Sequence, residues 1–335
     1  MRAVSLLSGG LDSLLATRVI LEQGIEVEAV NFVSVFCTCT PKRSGCSAAR
    51  TAVQQLGVPL HALNTTEEFL RIVQSPRHGY GRNMNPCLDC RILMFRKAKE
   101  LMKKVGAQFL VTGEVLGERP MSQRHEAMKL IEREAAVEGL VVRPLSATLL
   151  EPSIPEQEGW IDRSRLLALR GRCRKPQLEL AQSYALKDYP CPAGGCLLTD
   201  AGFAARMRDL LAHSGELRLH DVRLLKLGRH FRLAPTAKAV VGRDEHENQR
   251  LIALSCEEDI LMEVSDVPGP LTVVRGEAGE RELSVSASLT ARYSKARGSK
   301  RVRVKFRRHT EEAAREVEVE PADEQTVAAF RVGAN

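Results

Sequence analysis

The chain has 335 residues, 44% hydrophobic and 27% charged, ordinary values for a globular protein of two domains at about 150 residues each. No apolar run approaches the roughly 18 residues that span a bilayer, and MRAVSLLSGG lacks the order of a secretory signal, so a cytoplasmic protein without a membrane partner is expected. The net charge of +7 is uneven: 283–308 carries nine Lys/Arg and no acid, 309–335 seven acids and two Arg, which points to a polyanionic partner.

The chain opens as a βαβ unit. AVSLL is a short apolar run, SGG a tight turn, and LDSLLATRVILEQG places apolar residues at helical spacing up to Gly24. VEAVNF reads as a second buried strand, 46–57 as a helix, PLHALN as a strand, 91–105 as an amphipathic helix and QFLVTGE as another strand. Strands alternating with helices imply a parallel sheet covered on both faces, an α/β Rossmann-like domain. Prolines at 144, 152, 155, 176, 190 and 192 exclude long helices and predict a looped cap over about 143–199. Residues 200–214 resume helical spacing. From His220 the texture changes to short β-like runs (AKAVVG, GPLTVVRG, RVRVKF), a smaller α+β module. The expected division is therefore 1–215, then 220–310, then an acidic C-terminal tail over 311–335.

The sharpest local signal is Ser8-Gly9-Gly10-Leu11-Asp12-Ser13 between a buried strand and a helix. Two glycines let backbone approach a ligand, and the helix start aims unpaired N–H groups at an anion. Ser8 and Ser13 supply hydroxyl donors. Asp12 is out of place in a bare anion site unless it orients Mg²⁺ or a reacting group. The bland alternative is an ordinary strand-to-helix turn with a capping Asp. The usual GxxxxGK[ST] phosphate loop is excluded, because no Lys precedes Ser13.

Nine cysteines stand at 37, 39, 46, 87, 90, 173, 191, 196 and 256. An odd number in a reducing compartment disfavours a disulfide framework. Cys87-Leu-Asp-Cys90 precedes a helix whose positive end favours thiolates. Tyr189-Pro-Cys191-Pro-Ala-Gly-Gly-Cys196 presents further sulfur on a glycine-rich loop. Three arrangements fit this spacing: a [4Fe–4S] cluster on Cys87, Cys90 and Cys196; a zinc site completed by Cys191; or a relay of persulfide and resolving thiol. Cys37, Cys39 and Cys46 read as incidental loop cysteines, with a small metal site or a sulfur entry point as the minority alternative. Cys173 lies in GRCRK, where neighbouring charge would activate a thiol, and Cys256 reads as core.

SGGLDS resembles the signature of the PP-loop ATP pyrophosphatases (adenine nucleotide alpha hydrolase-like proteins), which cleave ATP between its α and β phosphates and adenylate a substrate oxygen. With NPCLDCRILM, VTGEVLGERPMSQ, RPLSA, GRCRKPQLELA and PAGGCLLTD, it is similar to the thiouridine synthetase-like tRNA sulfurtransferases over residues 1 to about 215. The resemblance implies that Ser8, Gly9, Gly10, Asp12 and Ser13 bind ATP, with Asp12 catalytic. It implies that Phe32 and Gly113 line the nucleotide, and that Cys87, Cys90 and a catalytic Cys196 hold a [4Fe–4S] cluster, with zinc as alternative. Such an enzyme adenylates a uridine carbonyl oxygen of tRNA and replaces it with sulfur from sulfide or a cysteine desulfurase persulfide.

Residues 220–308 resemble the RNA-binding module of the NFACT family, through LLKLGRHFRL, VVGRDEHEN, GPLTVVRG and ASLTARYSKARGSKRVRVKF. Alternation in RVRVKF places Arg301, Arg303 and Lys305 on one strand face, expected to contact phosphates. The usual 4-thiouridine synthetase has an RNA-binding region before its PP-loop domain; here the NFACT-like module is expected to deliver the tRNA. Two other functions remain open from the residues: an amidating ligase with structural zinc acting on a small molecule, and an inactive RNA-binding adaptor.

Overall fold

Strands and helices alternate through the first of two units, Met1–Leu197, in the computed structural model, which describes residues 1–38, 46–189 and 195–333. The elements are β1 (Arg2–Leu6), α1 (Leu11–Leu21), β2 (Glu26–Val33), α2 (Ser47–Leu56), β3 (Leu60–Asn64), α3 (Thr66–Gln74), α4 (Cys87–Lys104), β4 (Phe109–Thr112), α5 (His125–Ala135), β5 (Val141–Val142), α6 (Ile154–Gln157) and α7 (Lys175–Ser183). The strands pair in parallel in the order β3-β2-β1-β4-β5. The order reverses between β1 and β4, and in open parallel sheets ligands bind at the carboxyl ends of the strands at that point.

β1 is covered on both sides, which is why it reads as a continuous apolar run. Ala3 packs with α1 residues Leu11, Leu14, Leu15 and Val19 on one face. Val4 and Leu6 pack with Ile92 and Phe95 of α4 on the other. Ser5, the polar interruption in β1, is buried and bonded through its hydroxyl to Thr17 at 2.7 Å. Two helices absent from the sequence expectation complete the layers: α3 buries Phe69, Leu70 and Val73, and α5 buries Met128, Ile131 and Ala135. Of the segment 143–199, expected as a looped cap, residues 143–189 contribute to the core instead. Leu145, Ile161, Leu166, Ala181 and Leu186 pack with α1, because its prolines interrupt helices without interrupting burial.

The second unit, Leu198–Asn335, holds α8 (Ala201–His213), α9 (Leu219–Leu224), β6 (Arg229–Ala234), β7 (Ala237–Val241), α10 (Glu245–Ala253), β8 (Ile260–Val264), β9 (Thr272–Gly276), α11 (Glu280–Arg292), β10 (Val302–Arg308), β11 (Arg315–Val319) and α12 (Glu324–Phe330). Its six strands pair antiparallel in the order β11-β10-β8-β9-β7-β6. α11 packs on this sheet through Ala287, Leu289 and Ala291, with the Thr290 and Thr272 hydroxyls bonded at 2.7 Å. The molecule is thus a parallel α/β unit followed by an antiparallel α+β unit.

Two boundaries differ from the sequence expectation. The division falls at Leu197/Leu198 rather than near 215, since Asp209 of α8 binds Arg232 of β6 and Lys238 of β7, each at 2.8 Å. The expected acidic tail over 311–335 is folded through residue 333. β11 pairs with β10, and the Val332 N–H donates to the His230 carbonyl at 2.9 Å. Its acids alternate along β11, where they face cations across the sheet.

Candidate functional site

The turn after β1 lies at the β1/β4 switch point. Leu7 still donates its N–H to Val30 and its carbonyl accepts from Asn31 Nδ2, at 2.8 and 2.9 Å, so the chain leaves the sheet only at Ser8. Gly9 then adopts φ +83°, beneath α2. A Cβ there would stand 2.5 Å from the Ala49 nitrogen, so only glycine fits. Gly10 is the N-cap of α1 and supplies no side-chain cap, which leaves first-turn N–H groups without an intrahelical partner.

The two serines hold this turn together. Ser13 Oγ donates to the Gly10 carbonyl at 2.9 Å and accepts from the Ser8 N–H at 3.2 Å, and the two hydroxyls stand 3.1 Å apart. Gly113, one residue past β4, closes the other side: a Cβ there would fall 2.4 Å from the Ser13 nitrogen. Gly113 therefore abuts the loop backbone. Phe32, late in β2, is half-buried and packs against the cluster that contains Ile92 and Phe95.

Asp12 is the chemically exposed member. Its Oδ1 is buried without a hydrogen-bond partner, and its Oδ2 stands 3.6 Å from Arg174. Burial raises its carboxyl above the usual range, against the pull of Arg174, Gln177 and Arg119. Glu118 is likewise raised by burial and by the Asp12 charge. Arg119, Arg174, Gln177 and Glu118 were not singled out from the sequence. The signal was present, since they fall in VTGEVLGERPMSQ and GRCRKPQLELA. A carboxylate with an orphaned oxygen, flanked by two guanidiniums and a helix start, suits a nucleotide triphosphate with its divalent cation.

The thiols form a second group in the same unit. Cys87 is the first residue of α4, and Cys90 lies one turn on. Cys196 stands opposite Cys37 in an antiparallel bridge, flanked by Thr38 N–H to the Gly195 carbonyl (3.2 Å) and Leu197 N–H to the Phe36 carbonyl (2.9 Å). Cys90 is pushed up to about 12 by burial and then by Cys196, with Arg91 opposing and Cys87 and Cys37 adding. Cys87 is also raised, by burial against Arg119 and Arg91. The thiolate-favouring helix end expected from the sequence is thus overridden by burial and crowding. Cys37, read as incidental, belongs to this group. Cys39 and Cys191 lie outside the described residues.

Among the described residues no group of three or more His, Cys, Asp or Glu side chains is arranged to hold a metal ion. The donor set itself, Cys90 with Cys196, Cys87 and Cys37 each acting on it, is of the kind that ligates an iron–sulfur cluster or zinc. Cys173 is exposed. Cys256, expected in the core, is exposed instead, with its Sγ 3.4 Å from His220 Nε2 and 3.5 Å from Arg275.

Arginines connect the thiols to the loop. Arg119 acts electrostatically on both Asp12 and Cys87. Arg91, beside Cys90, reaches Glu114 Oε1 at 3.2 Å, and Glu114, fully buried next to Gly113, is held from the other side by Arg143 at 3.0 Å.

In the second unit, each of the three strand cations expected to meet phosphates stands beside an exposed carboxylate. Arg301 pairs with Glu318 at 3.0 Å, Arg303 with Asp266 at 2.9 Å and Lys305 with Glu263 at 3.3 Å. The sequence showed the cations on one face but not the carboxylates that the sheet register brings beside them.

Residues 1–149 match the family described as Thiamine biosynthesis protein (ThiI), and residues 228–331 match the NFACT protein RNA binding domain. The chain is 35% identical over 116 residues to the tRNA-specific 2-thiouridylase MnmA of Syntrophotalea carbinolica, covering 32% of each protein. It is 33% identical over 123 residues to a probable tRNA sulfurtransferase of Methanosarcina acetivorans, covering 34% of this chain and 28% of that protein. The chain thus spans about a third of the length of the curated relatives it matches. A crystal structure of a 4-thiouridine synthetase–RNA complex with bound ATP aligns at TM-score 0.39 and 24% identity, covering 59% of this chain and 45% of that one. No helix among the described residues is long and apolar enough to cross a membrane. The first unit is accordingly similar to the ThiI family over residues 1–149, and the second to the NFACT RNA-binding domain over residues 228–331.

Proposed function

We propose that the protein is an ATP-dependent tRNA sulfurtransferase of the cytoplasm, which activates a uridine carbonyl oxygen as its adenylate and replaces it with sulfur. The observation that carries this reading is Asp12, whose buried Oδ1 has no hydrogen-bond partner at the uncapped start of α1 while its Oδ2 stands 3.6 Å from Arg174.

The first-turn N–H groups of α1, with Arg119 and Arg174, bind and orient the triphosphate, and Asp12 Oδ1 faces its Mg²⁺ or the reacting phosphate. Ser8, Gly9, Gly10, Ser13 and Gly113 fix the turn in that geometry. The uridine oxygen attacks the α-phosphorus and pyrophosphate leaves; a sulfur nucleophile then adds to the ring carbon and AMP departs. Adenylation is needed because a carbonyl oxygen is otherwise a poor leaving group. Cys87, Cys90 and Cys196 would hold a [4Fe–4S] cluster, which when bound presents sulfide to the activated carbon; zinc is the alternative occupant. The sulfur donor is sulfide, or a persulfide from a cysteine desulfurase whose S–S bond a second thiol then cleaves, ending as a disulfide.

The test is anaerobic incubation of reconstituted protein with ATP, bulk tRNA and sulfide, followed by separation of nucleotides and nucleosides. AMP, pyrophosphate and a thionucleoside in equal amounts are expected. AMP without thionucleoside would favour activation of another substrate, and absence of both would refute the reading.

A further inference from the structure

Besides the exposed cations around β10, positive charge of the second unit gathers around a cavity. Arg206 of α8, Arg229 at the start of β6, Arg243 after β7 and Arg331 after α12 line a cavity of about 300 Å³, together with Asp200 and His230. The backbone of Asp200, Ala201 and Gly202 at the start of α8 completes the wall.

The carboxylates at hand are largely committed. Asp200 caps α8, accepting from the Phe203 N–H at 2.7 Å. Glu247 accepts from the Gly228 and Arg243 N–H groups and from the Arg243 guanidinium, at 3.1, 3.0 and 2.5 Å. Arg206, Arg229 and Arg243 therefore share two largely committed acids. Burial holds Arg206 below the usual arginine range, with Asp200 opposing and Arg243 and Arg331 adding, and burial does the same to Arg229, with Arg331 and Arg243 adding. Arg206 Nε is buried without a hydrogen-bond partner.

Packing holds the arginines in place. Arg229 lies over the Tyr293 ring at 4.4 Å, Arg331 over Phe231 at 5.2 Å and Arg206 over Phe203 at 5.9 Å. Arg331 also donates to the Tyr293 hydroxyl at 3.2 Å, and Arg229 to the Gly242 carbonyl at 3.2 Å. Rings that hold guanidiniums flat leave their forked donors to converge on a third group. His230, 1% exposed, is kept neutral by burial and surrounding cations, so the positive charge of the pocket comes from the arginines alone.

We infer that this arginine pocket is a phosphate-binding site of the second unit, one that seats a phosphate group supplied either by an RNA strand or by a small phosphate compound. Planar guanidiniums in a concave site match the tetrahedral oxygens of a phosphate, which accept paired N–H donors. The RNA source rests on the function proposed above; the pocket itself does not.

The test uses the full chain, wild type and Arg206→Gln/Arg229→Gln. Equilibrium dialysis with labelled pyrophosphate counts sites, so that binding at the α1 turn cancels in the comparison. The wild type is expected to take up one equivalent more than the variant. tRNA binding is then measured at two salt concentrations. If RNA supplies the phosphate, the variant binds about tenfold more weakly, with a salt dependence shallower by about one unit of slope, while Arg301→Gln/Arg303→Gln/Lys305→Gln changes affinity less than twofold. If the extra equivalent disappears but tRNA affinity is unchanged, the source is a small phosphate compound. Should wild-type tRNA binding be absent altogether, the RNA reading fails while dialysis still decides the pocket. A rise in wild-type melting temperature with pyrophosphate beyond the rise seen in Arg206→Lys/Arg229→Lys, with both proteins folded by circular dichroism, guards against a variant that simply unfolds. Equal pyrophosphate uptake with unaltered tRNA affinity and slope would overturn the inference.

Discussion

Cys37 and Cys196 face each other directly as an antiparallel pair whose flanking residues, not the cysteines themselves, exchange the backbone hydrogen bonds. In that arrangement the Cα atoms approach to about 4.5 Å, the closer of the two antiparallel spacings. A disulfide accepts Cα separations of about 4.4–6.8 Å. Cys37 is a half-buried free thiol. Diamide, a diazene that takes two hydrogens from two thiols and becomes a hydrazine, should therefore join Cys37 to Cys196 in metal-free protein. Peptide mapping checks this, and Cys37→Ser should abolish the bond. A bond from Cys196 to Cys87 or Cys90 as the main product would show that the pairing is not the one the bridge favours.

Asp12 has a role that costs stability. Its carboxyl is raised by burial, so the folded protein holds the proton to higher pH than the unfolded chain does. Stability is fully present below the usual carboxylate value of 3.8 and is lost as pH rises through the folded value. Asp12→Asn should remove that loss and leave the melting temperature at pH 7 equal or higher, while AMP formation falls by about 100-fold or more. Undiminished AMP formation would remove Asp12 from the reaction.

Gly113→Ala tests the close approach of β4 to the nucleotide turn. The new Cβ would stand 2.4 Å from Ser13 N and 2.5 Å from the Asp12 carbonyl, both backbone, so the turn must move. A loss of about 2 kcal/mol in denaturant unfolding and of ATP turnover is expected. Gly215→Ala, with nothing within 4 Å, is the neutral control. Unchanged turnover in Gly113→Ala would mean that the turn tolerates the shift.

Asp209 carries the electrostatic tie between α8 and the second sheet, accepting from Arg232 and Lys238 where the carboxylate side chain is only 10% exposed. Asp209→Asn leaves two cations facing each other and should cost about 3 kcal/mol. The Asp209 carboxyl is held below its usual value, with burial opposing and Arg232 and Lys238 prevailing. Its contribution is thus present above 3.8 and lost as pH falls through the folded value, a loss that Asp209→Asn should not show in acid titration monitored by circular dichroism.

The residues themselves determined whatever depends on near neighbours in the chain. SGGLDS lies within six consecutive positions, so its turn, its helix start and its anion chemistry were legible without a fold. The period of LDSLLATRVIL and the apolar runs of β1, β2 and β4 gave the parallel sheet. α3 and α5, missing from the sequence expectation, carry the same kind of signal: Phe69, Leu70 and Val73, and Met128, Ile131 and Ala135, recur at helical spacing. What the tertiary structure alone decided is which distant residues meet. Thr38 and Gly195 are 157 residues apart, and only their pairing brings Cys37 opposite Cys196. The same holds for Arg174 beside Asp12, 162 positions apart, with Oδ2 3.6 Å from the guanidinium. It holds for the strand charges, since the alternation of RVRVKF says which cations share a face, while the carboxylates beside them depend on the register with β8 and β11. Side-chain spacing along one element is set by its own geometry, whereas register between elements is set by burial of the whole core, and charge compensation follows the register.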